Sequence, residues 1–403
     1  MRHLSRLLTV LGLLLALPLH AEPPRFELVY TQPAETTLQQ PLRMPAPAWV
    51  GLFDGALKTI DIEQFYLAEK TGEALDPVLA ALEKAARRGV HVRVLVDKQM
   101  VKQSQPTLDR IAGWPNAEVR VIPWSKLDPG NGRHPGGIIH AKFMCIDGKW
   151  AYEGSQNFDW RSLSNIHELG VLIRDARIAG QLQAIFDMDW RAQQLLAEGK
   201  PVPVTHPSDR PAAERNETAY LVASPHEFLP PGVGDSELEL PRLIGTAQKR
   251  LQIQVLKYEP LDHAHHFYPV IDDALRAAAA RGVEIELMVS DWNADMPGLR
   301  WLQSLAVLPH VQVRMVTIPL PKAGFVPFSR VVHSKYMIVD GQALWVGTSN
   351  WQGGYLNESR NVEMVLLVPE VVAQAVALHA QLWSSAYAQP VVAGKDYPKP
   401  RRE

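Results

Sequence analysis

His140-Ala141-Lys142 recurs as His333-Ser334-Lys335, and the downstream residues recur with it: Asp147 and Asp340, then Gly154-Ser155-Gln156-Asn157 and Gly347-Thr348-Ser349-Asn350. Each matched position lies 193 residues from its counterpart. Upstream, an alternating segment at Thr59–Phe65, a helix-patterned segment from Pro77 to Arg88 closed by Gly89, and a second alternating segment at Val90–Val96 come first. They are answered by Leu251–Val255, by Pro269 to Arg281 closed by Gly282, and by Val283–Val289. Ile60 to Ile253 and Gly89 to Gly282 give the same 193-residue spacing. Register kept over most of each half is the mark of duplication, so the chain must fold as two like units. Period-2 segments alternating with Pro-opened, Gly-closed helical patterns predict an α/β fold with one sheet per half. The expected division is 22–198 for the first domain and 217–392 for the second. Between them lies a Pro- and charge-rich linker, 199–216, and 393–403 is expected to be a loose polar tail.

The first 21 residues read as an address rather than a fold. Arg2 and Arg6 precede a mostly apolar run from Leu7 to Leu19, and Ala21 sits where a signal peptidase would cut. The run is short for a membrane span. The expectation is an exported protein, periplasmic or secreted. Cys145 is the only cysteine, so no disulfide closes within the chain, which suits a bacterial periplasm. Its apolar neighbours predict a buried thiol. The formal charge is −2, and −4 without the leader, whose two arginines are matched by no acid. A broad nucleic-acid-coating surface would show a basic excess, whereas gripping one or two phosphates needs none.

The repeated motif carries the chemistry. His140 and Lys142 are two apart on a strand-like run and point to one face; Ser155 with Asn157, and Thr348 with Asn350, do the same. Two such sets facing each other bring together two imidazoles, two ammonium groups and two amides. Such a set suits one phosphodiester: lysine and asparagine hold its oxygens, one histidine attacks phosphorus and the other protonates the leaving oxygen. We assign attack to His140 and proton donation to His333. Asp147 and Asp340 each precede a glycine at a hairpin turn, so their role is either structural or catalytic. Acidic residues follow each motif at Glu168 and Glu363.

The duplicated His-x-Lys-x4-Asp pattern resembles the phospholipase D superfamily. That resemblance implies two α/β/α-sandwich domains related by a pseudo-twofold axis, with one active site between them. It also implies a covalent phosphohistidine intermediate and no required metal or other cofactor. The downstream acid of such enzymes orients the motif histidine, a role that would fall on Glu168 and Glu363. Within the superfamily three segments are similar to the phospholipase-D-like lysosomal exonucleases of animals. They are Asn157-Phe158-Asp159-Trp160-Arg161-Ser162-Leu163 with Glu168-Leu169-Gly170-Val171, His263 to Asp273, and Gly347 to Trp351 with Gly354-Tyr355. The similarity runs from about Trp49 to Trp383 and implies action on single-stranded nucleic acid from its five-prime end. The chain departs from that branch in lacking its disulfide cysteines and in keeping a regular Asp340. The alternative is a phospholipase D or phosphatidyltransferase acting on lipid headgroups, with peripheral membrane contact; no protein partner is implied.

Lys257, Tyr258 and His265 are the candidate substrate contacts. Asp262-His263-Ala264-His265-His266 lacks an established metal-ligand spacing and is read as a cleft or capping loop. Lys126, Arg133, His134, Lys322 and Arg330 precede the motifs, either as rim contacts or as ordinary surface charges. Phe325-Val326-Pro327-Phe328 is an apolar loop in the same place, open to base stacking, lipid contact or plain packing. Trp160, Trp190, Trp345, Trp351 and Trp383 are read as core. No phosphate-binding Walker loop and no Gly-x-Ser-x-Gly elbow is present, which argues against an NTPase and a serine esterase.

Overall fold

The computed structural model describes residues 23–129, 137–262 and 264–403. The leader, Arg133, His134 and His263 lie outside the described residues. The first half contributes β1 (Phe26–Thr31), α1 (Pro45–Gly55), β2 (Thr59–Gln64), α2 (Asp76–Arg87), β3 (His91–Asp97), α3 (Val101–Ala112) and β4 (Ala117–Ile122). It continues with β5 (Phe143–Ile146), β6 (Trp150–Gly154), β7 (Glu168–Ile173) and α4 (Ala176–Ala197). The second half contributes β8 (Ala219–Ser224), β9 (Gly234–Asp235), α5 (Ser236–Thr246), β10 (Arg250–Val255), α6 (Pro269–Ala280), β11 (Glu284–Ser290) and α7 (Gly298–Ala306). It ends with β12 (Val311–Val316), β13 (Lys335–Val339), β14 (Ala343–Gly347), β15 (Asn361–Leu366), α8 (Pro369–Ser384) and β16 (Ala388–Pro390).

The sheet orders carry the duplication. The first sheet runs β1-β7-β6-β5-β2-β3-β4, and the second repeats that order as β8-β15-β14-β13-β10-β11-β12, with β9 and β16 added at its two edges. In both, three strands that each follow a helix pair parallel (β2, β3 and β4; β10, β11 and β12), and the motif strands pair antiparallel. Local signals explain the helices. In α2, Pro77 sits in the first turn with Asp76, Lys84 and Arg87 occupy the last, and Val78, Leu79, Leu82, Ala85 and Ala86 form the buried stripe. Gly89 then leaves the helix at φ +97°, a conformation that favours glycine.

Three large cores result from this layering. The outer face of each sheet packs on its own helices: Trp49, Leu79 and Leu82 lie over the first sheet, and Leu240, Leu275 and Leu302 over the second. The third core lies between the halves, where Phe143, Val171, Phe186, Tyr336, Val346, Met364 and Val372 share one cluster. Its burial of apolar surface makes the two halves one body with the motif strands at the seam.

Strand pairing corrects the register of the repeat at one place. Ile60 pairs with Ile146 and Leu251 with Val339, so Ile60 answers to Leu251 and Ile62 to Ile253, 191 residues apart. The helices and motifs keep 193, and the two extra residues fall in the longer loop between β10 and α6. The linker residues 199–216 form no helix or strand but are fastened to the second half. Glu214 donates its N–H to Gly232, and Arg210 and Arg215 pair with Asp235, Glu237 and Glu239. The tail is not loose. Arg402 donates to the Trp292 carbonyl at 3.0 Å, pairs with Asp295, and accepts the Phe328 N–H at its own carbonyl at 2.8 Å. A guanidinium that finds both a carboxylate and a carbonyl orders a segment that composition alone marks as free.

Candidate active site

The two halves meet by reciprocal backbone bridges. Ile139, just before the first motif, bridges Arg360 of the second half, and Val332 bridges His167 of the first. The His140 N–H donates to the Arg360 carbonyl at 2.9 Å and the His333 N–H to the His167 carbonyl at 2.9 Å. Each motif histidine is therefore set by the opposite half. Both line one cleft of about 310 Å³, with Asn157, Asn350, Arg161, Phe65, Tyr66 and Tyr355 among its walls. Lys142 and Lys335 are fully buried behind them, the Lys142 ammonium on the His140 carbonyl and the Lys335 ammonium without a hydrogen-bond partner among the described residues.

The hydroxyls of the Gly-[Ser/Thr]-x-Asn segments stitch the floor. The Leu169 N–H donates to Ser155 Oγ at 3.1 Å and the Val362 N–H to Thr348 Oγ1 at 3.1 Å, which ties each Asn-bearing turn to the strand behind it. Asp147 and Asp340 sit at the far ends of the motif strands. Asp147 accepts three backbone N–H groups, from Leu57, Lys58 and Thr59, at 2.7–2.9 Å, and Asp340 accepts three from Gln248, Lys249 and Arg250 at 2.8 Å. Both occupy left-handed backbone, φ +53° and +52°, ahead of glycine. They anchor the start of β2 and β10, and neither lines the cleft.

The residue orienting each histidine differs between the halves. His333 Nδ1 lies 2.8 Å from Glu168 Oε2, as the resemblance implies. Glu363 does not do the same for His140: its carboxylate takes the hydroxyls of Ser236 and Ser349 instead. The reason is register. Glu168 pairs with Thr31 on β1, and the equivalent pair on β8 is Ser224 with Asn361, so Asn361 is the counterpart of Glu168. Glu363 stands two residues further, roughly 7 Å along the strand. Asn361 Oδ1 lies 3.1 Å from His140 Nδ1. The Asn361 NH₂ donates to the Tyr355 carbonyl at 2.7 Å and its Oδ1 also accepts from Thr348 at 2.9 Å, which fixes the amide's orientation. His140 must then donate from Nδ1, leaving the Nε2 lone pair free. Sequence inspection passes over Asn361, although adding the repeat spacing to Glu168 lands on it.

Burial dominates the electrostatics. It holds His140 well below the ordinary histidine value, helped by the charges of Lys142, Lys335 and His333. His333 is depressed by burial, then by Lys335 and Lys142, and Lys335 is pushed down to about 7 by burial. These cationic groups have too little negative charge among them, and an entering phosphodiester anion would supply it. Glu168 is pushed up to about 8 by burial, so Glu168 and His333 together keep one proton up to about that pH and lose it above. Turnover should accordingly be lost as pH rises through about 8. Glu168→Gln, which removes the shared proton's second seat, should move that loss to below 6.5, the ordinary histidine value. A pH profile of kcat/KM unchanged by the substitution would contradict this account of the pair.

The other candidates fall away from the cleft. Tyr258 is buried with its hydroxyl on Asp272, a core role. Lys257 lies 4.0 Å from Glu259 and does not line the cleft, although its neighbour Leu256 does. His265 is exposed at φ +63° in a turn that Asp262 closes through the Ala264 and His266 N–H groups at 2.8 Å. No cluster with metal-ligand composition occurs among the described residues. Arg330 is buried on the Pro319 and Ala34 carbonyls, a structural brace rather than a rim charge. Arg161, which the sequence marks only as one residue of a similar segment, reaches the cleft wall on Asp159 and the Pro327 carbonyl.

A family model described as "Cardiolipin synthase, PLD-like domain" matches residues 50–190 and 240–383, one span in each half. The "5'-3' exonuclease PLD3" of Macaca fascicularis is 32% identical over 386 residues, covering 87% of this chain and 76% of that protein. "Phospholipase D Z" of Dictyostelium discoideum is 32% identical over 378 residues, covering 85% and 86% of the two chains. The crystal structure of phosphatidylserine synthase from Haemophilus influenzae superposes with a TM-score of 0.61 at 13% identity over 86% of this chain and 84% of that one, a likeness of fold.

Proposed function

The chain belongs to the phospholipase D superfamily, and from that premise we propose that it is an exonuclease acting on single-stranded nucleic acid through a phosphohistidine. Family membership makes it a phosphodiesterase. The observation that carries the rest is the pair of motif histidines on one cleft, each oriented by a residue of the opposite half. His140 attacks phosphorus through Nε2 and the P–O bond to the leaving group breaks. The departing oxygen takes its proton from His333 Nε2, and Glu168 supports the imidazolium. Water then attacks the phosphohistidine, giving its proton to His333 and releasing His140. Lys142, Lys335, Asn157 and Asn350 hold the non-bridging oxygens.

The leaning to nucleic acid rests on the named exonuclease relatives and on a cleft walled by the aromatic rings of Phe65, Tyr66, Trp292, Phe328 and Tyr355, surfaces on which bases stack. The second reading, a phospholipase D or headgroup transferase, is favoured by the Dictyostelium relative and by the apolar Ile166, Leu256 and Val331 in the same cleft. Export to the periplasm or beyond is part of the proposal, supported by the basic, apolar and small-residue pattern of Met1–Ala21. The test is turnover in chelator on a labelled single-stranded oligonucleotide and on phosphatidylcholine vesicles, using protein whose N-terminus is sequenced. Stepwise shortening of the oligonucleotide by a chain beginning at Glu22 is expected. Choline release without nucleotide release would replace the first reading by the second.

A further inference from the structure

We propose that Phe328, braced against Trp292, is the stacking site for the base of a nucleotide flanking the scissile phosphate; this rests on the nuclease reading. Phe328 is 43% exposed, a large apolar side chain that lines the cleft. Its backbone is left-handed at φ +53°, a costly conformation for a bulky residue, and it persists because the loop is held on both sides. From the tail, Arg402 accepts the Phe328 N–H at 2.8 Å and its guanidinium lies 5.0 Å from the Trp292 ring. From the first half, Arg161 donates to the Pro327 carbonyl at 3.1 Å. Trp292 meets Phe328 edge-on, 6.5 Å between centroids at 78°, so the tryptophan steadies the ring without covering both of its faces.

The same loop is poorly made for entering a bilayer. Its other aromatic, Phe325, is half-buried under the Arg401 guanidinium at 4.1 Å, so a single fixed ring faces the cleft rather than a cluster of apolar tips facing outward. A rigid ring beside a phosphate-binding centre matches a flat π-face one nucleotide away, and stacking of this kind tolerates any base.

The experiment compares intact single-stranded oligonucleotides with ones carrying one abasic sugar at the first, second or third position, on the unmodified protein and on Phe328→Ala. The exposed position keeps the variant foldable, which an unchanged thermal midpoint verifies. The unmodified protein should lose roughly tenfold or more in kcat/KM at one abasic position. Phe328→Ala should show that loss already on the intact strand and no further loss on the abasic one, while Phe328→Tyr restores the base dependence. Equal losses by Phe328→Ala on intact and abasic strands would overturn the proposal and leave the nuclease reading standing. An unmodified protein that cleaves vesicles and no oligonucleotide would sink that reading, and the stacking site with it.

Discussion

Alanine in place of either His140 or His333 should lower turnover by about 10²–10⁴-fold, and the double replacement should cost little more than either single one. Removal of a nucleophile or of a general acid forfeits a factor of about 10²–10⁴ on its own, and residues that act as a unit do not lose additively. The two single variants should nevertheless differ in one respect. Asn361 commits His140 to donating from Nδ1 without placing a charge beside it, which suits a nucleophile that must start neutral. Glu168 gives His333 a carboxylate at 2.8 Å, which suits a group that must carry a proton to the leaving oxygen. A substrate whose leaving group needs no proton should therefore still phosphorylate His333→Ala, on the peptide containing His140. It should leave His140→Ala unlabelled. Recovery of phosphate on His333 would reverse the assignment, and near-normal turnover by both single variants would remove the motif from the chemistry altogether.

The range of an interaction decides whether the sequence makes it legible. The helix expected from Pro77 to Arg88 runs Asp76–Arg87, because proline, glycine and the apolar stripe are local signals. The repeat announces two like sheets, and the strand orders agree. The partner of His140 escapes a reading that seeks an acid rather than an asparagine. Its orientation also comes from across the seam between halves, a contact that local patterns do not register. Tyr258 illustrates the opposite error. It is a candidate substrate contact in the sequence, but its hydroxyl is satisfied inside the second half by Asp272. The tail reads as loose from its prolines and charges, and three-dimensional partners for Arg402 decide otherwise.

The seam itself should prove fragile at one residue. Arg360 is fully buried in the second half, yet it forms a bidentate pair with Asp189 of α4 in the first, at 2.6 and 2.8 Å. Its remaining donors take the Ser224 and Phe228 carbonyls at 2.9 and 2.7 Å, and the guanidinium lies 4.9 Å from the Trp124 ring. Glu63 adjoins the pair, and burial together with the Asp189 charge pushes its carboxyl well up, so it stays protonated and leaves Asp189 as the single counter-charge. Arg360→Ala would strand that carboxylate and two carbonyls in a low-dielectric seam, and should cost roughly 3–5 kcal/mol of stability. Because Asn361 is the next residue and the Arg360 carbonyl receives the His140 N–H, whatever variant remains folded should also lose activity. Arg360→Met combined with Asp189→Leu removes both charges and should recover most of the stability, since a well-packed apolar pair replaces a buried ion pair at little net cost. Denaturant midpoints of the two single variants and the double one measure this directly. A single variant that unfolds with the unmodified protein would show that the halves are held by their shared apolar core alone, and that the buried pair contributes placement of the His140 strand rather than stability.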